Sequence, residues 1–366
     1  MDRREESNHV SGTEEGKGRK SLEEILSQPH CWKTCLEDLE EHGRYEEALK
    51  PLSKAEEWIF VGCGSSYYVA QAAAWSWTAL TGQRAKAVPA SELLFYPDQV
   101  LGKAKCQPVL ISRSGRTTEM LMAAEYLERK RGIRTLAVVC AAGQPLEKIV
   151  TSTLRLPAAD EQSTVMTRSF TSMLLGQQGL AAWAGQQKDF LDALRRMPAG
   201  AEAALNEWRP GLEKFVQSRE FDDYVFLGQG AFFGLASEGQ LKATEMSCSY
   251  AQVFHTLEFR HGPKSIVSPK TLLTFFLAEG IGTSEEEVLQ EMKGLGATTL
   301  VITNRAGEAV RQAADLLIEL KLDVPEVARL AACLMPAQLL GLYLGLKRGC
   351  DPDQPRNLSR AVVLKG

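Results

Sequence analysis

Trp58-Ile59-Phe60-Val61-Gly62-Cys63-Gly64 and Val225-Phe226-Leu227-Gly228-Gln229-Gly230 are the stretches that decide the fold. Each is a short apolar run that stops at Gly-x-Gly, the pattern of a buried strand turning sharply. A helical pattern from Tyr67 to Leu80 follows the first. The two runs are offset by 166 residues (228 − 62 = 166), and at the same offset Glu92 meets Glu258 and Pro97 meets Pro263. Val109-Leu110-Ile111 falls near Phe276 and Leu277, and Thr135 to Val139 resembles Thr299 to Thr303 at a slightly smaller offset. Such self-similarity predicts two copies of one α/β unit. Within the first copy come a strand at Lys86 to Val88, a helical turn at Ser91 to Leu93 and a helix at Phe170 to Leu180. Strands that are apolar throughout and alternate with helices imply a mostly parallel sheet covered on both faces. A dinucleotide reading of Gly-x-Gly fails on the third glycine, since Tyr67 and Phe233 stand there.

The 366 residues suffice for two such domains. Met1 to Lys20 is charged, lacks the apolar core of a signal peptide and reads as a disordered tail, so a cytoplasmic location is expected. Ser21-Leu22-Glu23-Glu24 has capping-box form and opens a helix to about Pro29; a second helical pattern runs through Trp32, Leu36 and Leu39. The linker between copies is expected within 188–212, a helical composition that carries Pro198 and Pro210. A formal charge of −4 without a basic stripe argues against nucleic acid. Apolar patches such as Ala70 to Leu80 are too short and polar to span a bilayer, so no membrane partner is expected. The eight cysteines are scattered; Cys31-x3-Cys35 has no second pair, so free thiols and no zinc are expected.

Chemistry concentrates in Pro108-Val109-Leu110-Ile111-Ser112-Arg113-Ser114-Gly115-Arg116-Thr117-Thr118-Glu119. A strand runs into hydroxyls and one glycine, and a helix with Met120, Leu121, Ala124 and Leu127 on one face follows. The unpaired N–H groups and dipole of a helix start suit an anion, and the four hydroxyls suit phosphate oxygens. The same residues also fit ordinary N-capping. No carboxylate lies in the loop itself, so no metal is implied. The second copy has Ala278-Glu279-Gly280 at the corresponding place and cannot repeat the cradle. It offers Glu238 to Lys264 instead, where Lys242, Glu245 and Ser249 share a helical face. Such a Lys–Glu pair is ordinarily a surface pair. Here Leu241, Met246 and Cys248 read as buried, which turns Glu245 towards a cleft. His261, before Gly262-Pro263, belongs to a turn; His255 and His261 match no metal-binding spacing. Cys63, Trp75 and Tyr250 either line the pocket or pack near it, with core packing the favoured reading.

These residues carry a resemblance over nearly everything after the tail. Gly62-Cys63-Gly64-Ser65-Ser66, Ser112-x-Ser114-Gly115-x-Thr117, Glu238-Gly239-x-Leu241-Lys242-x-x-Glu245, His261-Gly262-Pro263 and Asp353-Gln354-Pro355-Arg356-Asn357-Leu358 resemble the double SIS (sugar isomerase) domain family of phosphosugar isomerases. Glu24-Ile25-Leu26-x-Gln28-Pro29 and the last of these motifs are similar to the isomerase half of glucosamine-6-phosphate synthase. Glu258 to Ser265, and Pro157-Ala158 leading to Met166-Thr167, look more like the tagatose-6-phosphate ketose/aldose isomerase or galactosamine-6-phosphate deaminase type. The resemblance implies two duplicated three-layer α/β/α domains with mostly parallel flavodoxin-like sheets. It divides the chain into a tail (1–20), a helical segment (21–52), the phosphate-loop domain (53–195), the catalytic domain (212–350) and a C-terminal tail closing the active site (351–366). It implies that Ser66, Ser112, Ser114 and Thr117 bind the sugar phosphate, with Arg113 as an added cation and Gly64 and Ser65 against the substrate. Glu245 is implied as the base moving a proton between C1 and C2, Lys242 as its assistant, and His261 as the ring-opening group reaching across a homodimer. No cofactor and no metal are implied.

Two departures qualify the likeness. Arg360 stands where the synthase pattern has Lys; Arg stays protonated, so it can clamp an oxyanion but cannot form a Schiff base. The chain starts Met1-Asp2-Arg3 and leaves no room for a glutaminase domain, so glutamine-dependent amination is not expected. The expected function is isomerisation or deamination of a hexose or hexosamine 6-phosphate through an enediol or imine. A deglycase acting on a sugar-phosphate–amino-acid adduct is the enzymatic alternative, and a phosphosugar-sensing protein the non-enzymatic one.

Overall fold

The computed structural model describes residues 16–279 and 283–364. Residues 1–15 of the expected tail, Gly280 and the last two residues of the C-terminal segment lie outside the described residues.

Two five-stranded parallel sheets form the frame, as the repeat requires. The first contains β1 (Glu57–Gly62), β2 (Arg84–Pro89), β3 (Cys106–Ile111), β4 (Leu136–Val139) and β5 (Ser152–Arg155), in the order β2-β1-β3-β4-β5. The second contains β6 (Asp223–Gly228), β7 (Ala251–His255), β8 (Thr271–Phe276), β9 (Thr298–Thr303) and β10 (Leu316–Glu319), in the equivalent order β7-β6-β8-β9-β10. The register is also repeated, Glu57 lying beside Cys106 as Asp223 lies beside Thr271. In this doubly wound order the connection reverses between the first and third strands, and ligands settle beyond their carboxyl ends.

Helices cover both sheets. Before and within the first copy run α1 (Arg19–Leu26), α2 (Gln28–Glu41), α3 (Arg44–Leu49), α4 (Ser65–Thr81), α5 (Ala90–Phe95), α6 (Pro97–Leu101), α7 (Thr118–Glu125) and α8 (Arg168–Ala184). Then come α9 (Lys188–Gln217), α10 (Ala231–Ser247), α11 (Ser284–Gly294), α12 (Glu308–Ala313) and α13 (Leu330–Lys347).

Gly-x-Gly has the same geometry in both copies. Gly64 has φ 55° and ψ −129°, and Gly230 has φ 58° and ψ −127°, a conformation that costs a side chain dearly. A Cβ on Gly62 would meet the Ser66 carbonyl oxygen at 2.3 Å, and one on Gly228 the Phe232 oxygen at 2.5 Å. The motif therefore serves tight strand-to-helix turning, consistent with its missing dinucleotide fingerprint.

Several local expectations need correction. Ser21 does not start its helix. α1 begins at Arg19 behind a left-handed Gly18, and Asp353 of the C-terminal segment accepts from the Lys20 and Ser21 N–H groups at 2.9 and 2.8 Å and from the Ser21 hydroxyl at 2.7 Å. The cap comes from 332 residues away, which a local reading cannot find. The expected linker is the interior of one 30-residue helix, α9, which carries both prolines. Ser249 lies beyond the end of α10 and bonds Ser247 at 2.6 Å, so it does not share the Lys242–Glu245 face. Cys248 is exposed, as are Trp75 and Tyr250. The longest apolar stretch is α13 with its leading turn, Glu326–Lys347, the one helix among the described residues long and apolar enough to cross a membrane. It is buried inside the protein almost throughout, which accounts for its composition.

α10 is held between the copies. Gly234 brings it onto α4, where a Cβ would come within 2.8 Å of the Tyr68 oxygen. Gly341 and Gly345 bring α13 onto its other side, and a Cβ on Gly345 would lie 2.3 Å from the Met246 oxygen. Gly345→Ala should therefore destabilise the protein by about 1–3 kcal/mol, the usual cost of overpacking. Chemical denaturation will check this; an unchanged midpoint would mean that the two helices separate freely.

Candidate functional site

The carboxyl ends of β1 and β3 deliver two turns to one place. The β1 turn places Cys63, Gly64, Ser65 and Ser66 at the start of α4, and the β3 turn places Ser112 to Thr117 before α7. Between them lies a cavity of about 200 Å³. Of the residues singled out from sequence, Gly64, Ser65, Ser66, Ser112, Arg113, Ser114, Thr117, Glu245 and Arg360 line it. Cys63 also lines it, so its role is not core packing alone. Lys242 stands behind Glu245, and His261 is exposed on its turn, outside the lining of this cavity.

The loop residues divide by what their side chains already do. Thr117 occupies the N-cap position of α7 but makes no capping hydrogen bond with its side chain, so the capping reading is not realised. Ser112 Oγ accepts from the Gly115 N–H at 3.2 Å and Ser114 Oγ from the Arg116 N–H at 3.3 Å, leaving both hydroxyl protons to point elsewhere. Arg113 departs from expectation. Its guanidinium is buried, with Glu161 Oε2 at 3.2 Å, the Thr164 carbonyl at 2.9 Å and the Arg360 carbonyl at 2.8 Å. Further contacts to the Ser163 and Val165 carbonyls complete its set. It is a clamp on the surrounding loops, and its fork is already occupied. Arg360 likewise turns its guanidinium to Asp160, while the residue lines the cavity.

The C-terminal segment forms one wall through Leu358 to Val362. The Val362 carbonyl accepts from the Thr118 N–H at 3.2 Å, and the Leu364 N–H donates to Thr118 Oγ1 at 3.0 Å. With Arg113 gripping Arg360 and Asp353 capping α1, this segment is fastened at three points.

The second copy contributes a charge cluster through α10. Lys242 is fully buried. Its Nζ bonds Glu245 Oε2, lies 3.2 Å from Glu238 Oε1 and 3.4 Å from Ser65 Oγ. Ser65 in turn donates to Glu238 Oε1 at 3.0 Å. Glu245 alone reaches the cavity. One ammonium thus faces two carboxylates. Burial pushes the Glu238 carboxyl up to about 8, against the opposing pull of Lys242 and with the help of Glu245. Burial disfavours the Lys242 charge, yet Glu238 and Glu245 together push its proton affinity up. Of the two carboxylates around Lys242, Glu238 is the one whose burial favours the neutral acid. Glu238 Oε2, buried and without a hydrogen-bond partner among the described residues, is the costlier place for a negative charge. Glu238 was quoted in the sequence motif but given no role. The signal was its spacing: 238, 242 and 245 share a helical face, two acids around one base.

The fold and cleft define a duplicated doubly wound α/β protein with a hydroxyl-rich loop from one copy and a carboxylate–ammonium pair from the other. More particularly, the chain belongs to the SIS domain family, whose model matches residues 51–178 and 222–343. A solved glucosamine-6-phosphate deaminase from Thermotoga maritima is similar to it at 31% identity, covering 94% of this chain and 100% of that one with a TM-score of 0.73. Tagatose-6-phosphate ketose/aldose isomerase from Escherichia coli shares the fold with a TM-score of 0.82 at 23% identity, covering 95% of this chain and 97% of that one. Glutamine–fructose-6-phosphate aminotransferase (isomerizing) of Methanothermobacter thermautotrophicus is 26% identical over 348 residues, which is 94% of this chain and 57% of the relative. The chain thus spans less than two thirds of that relative's length.

The raised proton affinity of Glu238 has a stability signature. An acid whose folded value lies above its unfolded value stabilises the fold fully below the unfolded value and loses that contribution as pH rises through the folded one. Wild-type stability should therefore carry a component that falls from pH near 4.5 to pH about 8. Glu238→Gln, which keeps the shape of the neutral acid, should remove that component. Denaturant unfolding across this range will show it as a difference in slope; parallel profiles would mean that Glu238 is ionised in the fold.

Proposed function

We propose that the protein is an aldose–ketose isomerase or amino-sugar-phosphate deaminase acting on a hexose or hexosamine 6-phosphate. One observation carries the reading: a carboxylate paired with a buried ammonium opens into the cavity that is floored by the Ser112–Thr117 hydroxyl loop. The loop's N–H groups and the hydroxyls of Ser66, Ser112, Ser114 and Thr117 hold the phosphate, with Gly64 and Ser65 against the sugar. Glu245 removes the C2 proton of the open-chain aldose and returns it to C1 through an enediol, or an enolamine when C2 carries nitrogen. With a 2-amino sugar the product is an imine at C2, which water splits to the ketose and ammonia. Lys242, behind Glu245, holds it in position through their ion pair. Likeness to glucosamine-6-phosphate deaminase favours the nitrogen-releasing branch.

The test is ammonia release and C1/C2 isotope exchange with glucosamine, galactosamine and fructosamine 6-phosphates. Activity on one or both 2-amino sugars is expected, and Glu245→Gln should reduce exchange by about 10²–10⁴-fold while sugar-phosphate binding persists. Activity confined to the fructosamine adduct would replace the reading by the deglycase. Binding without turnover of any sugar would replace it by the sensor.

His261 enters the same scheme as the ring-opening acid of a neighbouring subunit in a homodimer, since it is exposed and does not line this chain's cavity. Glu245→Gln and His261→Ala chains should each be inactive. Co-expressed with separate tags, they should recover about one quarter of wild-type activity, because half the dimers are mixed and each of those has one intact site. No recovery in verified mixed dimers would keep His261 within its own subunit's chemistry or outside it altogether.

A further inference from the structure

The fold brings together two thiols that lie 102 residues apart in the chain (350 − 248 = 102). Cys248 is the exposed C-cap of α10, held at φ 53°, where a side chain is strained. Cys350 follows α13, is half-buried, and donates its N–H to the Gly345 carbonyl at 2.9 Å. Arg356 stands with them. All three line a second cavity of about 380 Å³, and Glu245 forms part of its wall. The dithiol therefore sits behind the carboxylate that faces the first cavity. Of the other six cysteines, Cys31, Cys35, Cys140 and Cys333 are buried, where thiols are inert, and Cys63 and Cys106 are half-buried and stand outside this cavity.

We propose that Cys248 and Cys350 form a redox-reversible dithiol, oxidised by hydrogen peroxide or another hydroperoxide to a disulfide that fastens the root of the C-terminal segment to the end of α10. The Cys248 thiolate attacks one peroxide oxygen and the O–O bond breaks. Hydroxide leaves, takes up the thiol proton as water, and a sulfenic acid remains on Cys248. The Cys350 sulfur then attacks the Cys248 sulfur, the S–O bond breaks, and the departing oxygen carries away the Cys350 proton as a second water. Two electrons and two protons pass from two thiols to one peroxide. Arg356 supplies a counter-charge to the attacking thiolate. Burial, with Cys248 beside it, pushes the Cys350 thiol up, which leaves it the less reactive of the two towards peroxide. The two helices are already in close contact where Gly345 meets Met246, so their ends start near one another. Leu358 to Val362, a few residues beyond the bridge, wall the first cavity.

The test uses the full chain and does not depend on the substrate. Peroxide-treated protein is alkylated, digested and mapped by mass spectrometry, with and without dithiothreitol. The expected product is a Cys248–Cys350 linked peptide pair that disappears on reduction. In Cys350→Ser, dimedone should trap a sulfenic acid on Cys248; in Cys248→Ser, Cys350 should stay a thiol. Tryptic cleavage after Arg356 and Arg360 should slow several-fold in the oxidised protein. Both variants replace residues outside the core, and circular dichroism will verify their folding. Absence of the linked pair, bridging to other cysteines, or unchanged cleavage in verified oxidised protein would each overturn the proposal.

Discussion

A single buried ammonium governs how the two copies meet. Lys242 is sealed from solvent, so its charge must be met by protein, and Glu238, Glu245 and Ser65 are the groups within reach. Ser65 comes from the first copy's α4 and the others from the second copy's α10. The polar cluster therefore fixes the rotation of one copy against the other, beyond what apolar packing of α4 on α10 would do. Removing one partner of such a buried set leaves charge uncompensated, which costs far more than an exposed pair. The same requirement puts Glu245 at the rim of the cavity.

The C-terminal segment meets a second constraint. It has no regular element of its own among the described residues, yet it is tied to α1 through Asp353, to the β3 loop through the Arg113–Arg360 contact and to α7 through Val362 and Leu364. Each tie answers a need of its partner. The start of α1 lacks acceptors for its first N–H groups, and a carboxylate supplies them. The buried fork of Arg113 needs acceptors, and carbonyls from two segments provide them. Clamping the segment thus completes the hydrogen bonding of three elements and builds a cavity wall.

Legibility in the sequence followed burial. β1, β3, β4, β6, β8 and β9 are central strands, almost wholly buried, and their continuous apolar runs announced them and the repeat. β5, β7 and β10 lie at sheet edges and are half-exposed, so they carry no such run. α13 escaped for the opposite reason: buried all round, it has no polar face to set a period. The cavity-lining residues were readable because strand ends, glycines and helix starts are local features. The commitments of Arg113 and Arg360 were not, because their partners Glu161 and Asp160 lie in a loop whose position only the fold determines.

Duplication explains the division of labour across the cleft. Both copies keep the strand–glycine–helix turn with matching backbone angles, so each could present a helix start to a ligand. In the first copy that turn carries Ser65 and Ser66 and faces a second hydroxyl-bearing loop. In the second copy the turn reads Gly230-Ala231-Phe232, and Phe233 stacks on His255 at 3.8 Å, covering the position with an aromatic pair. An anion cradle needs polar hydrogens at both turns, and apolar residues at one of them remove the site without disturbing the turn. Freed of that role, α10 can carry Glu238, Lys242 and Glu245 on the face that meets the first copy. Asymmetry arises from side chains alone on a backbone that stays symmetric, and the cleft takes its hydroxyl loop from one copy and its carboxylate–ammonium pair from the other.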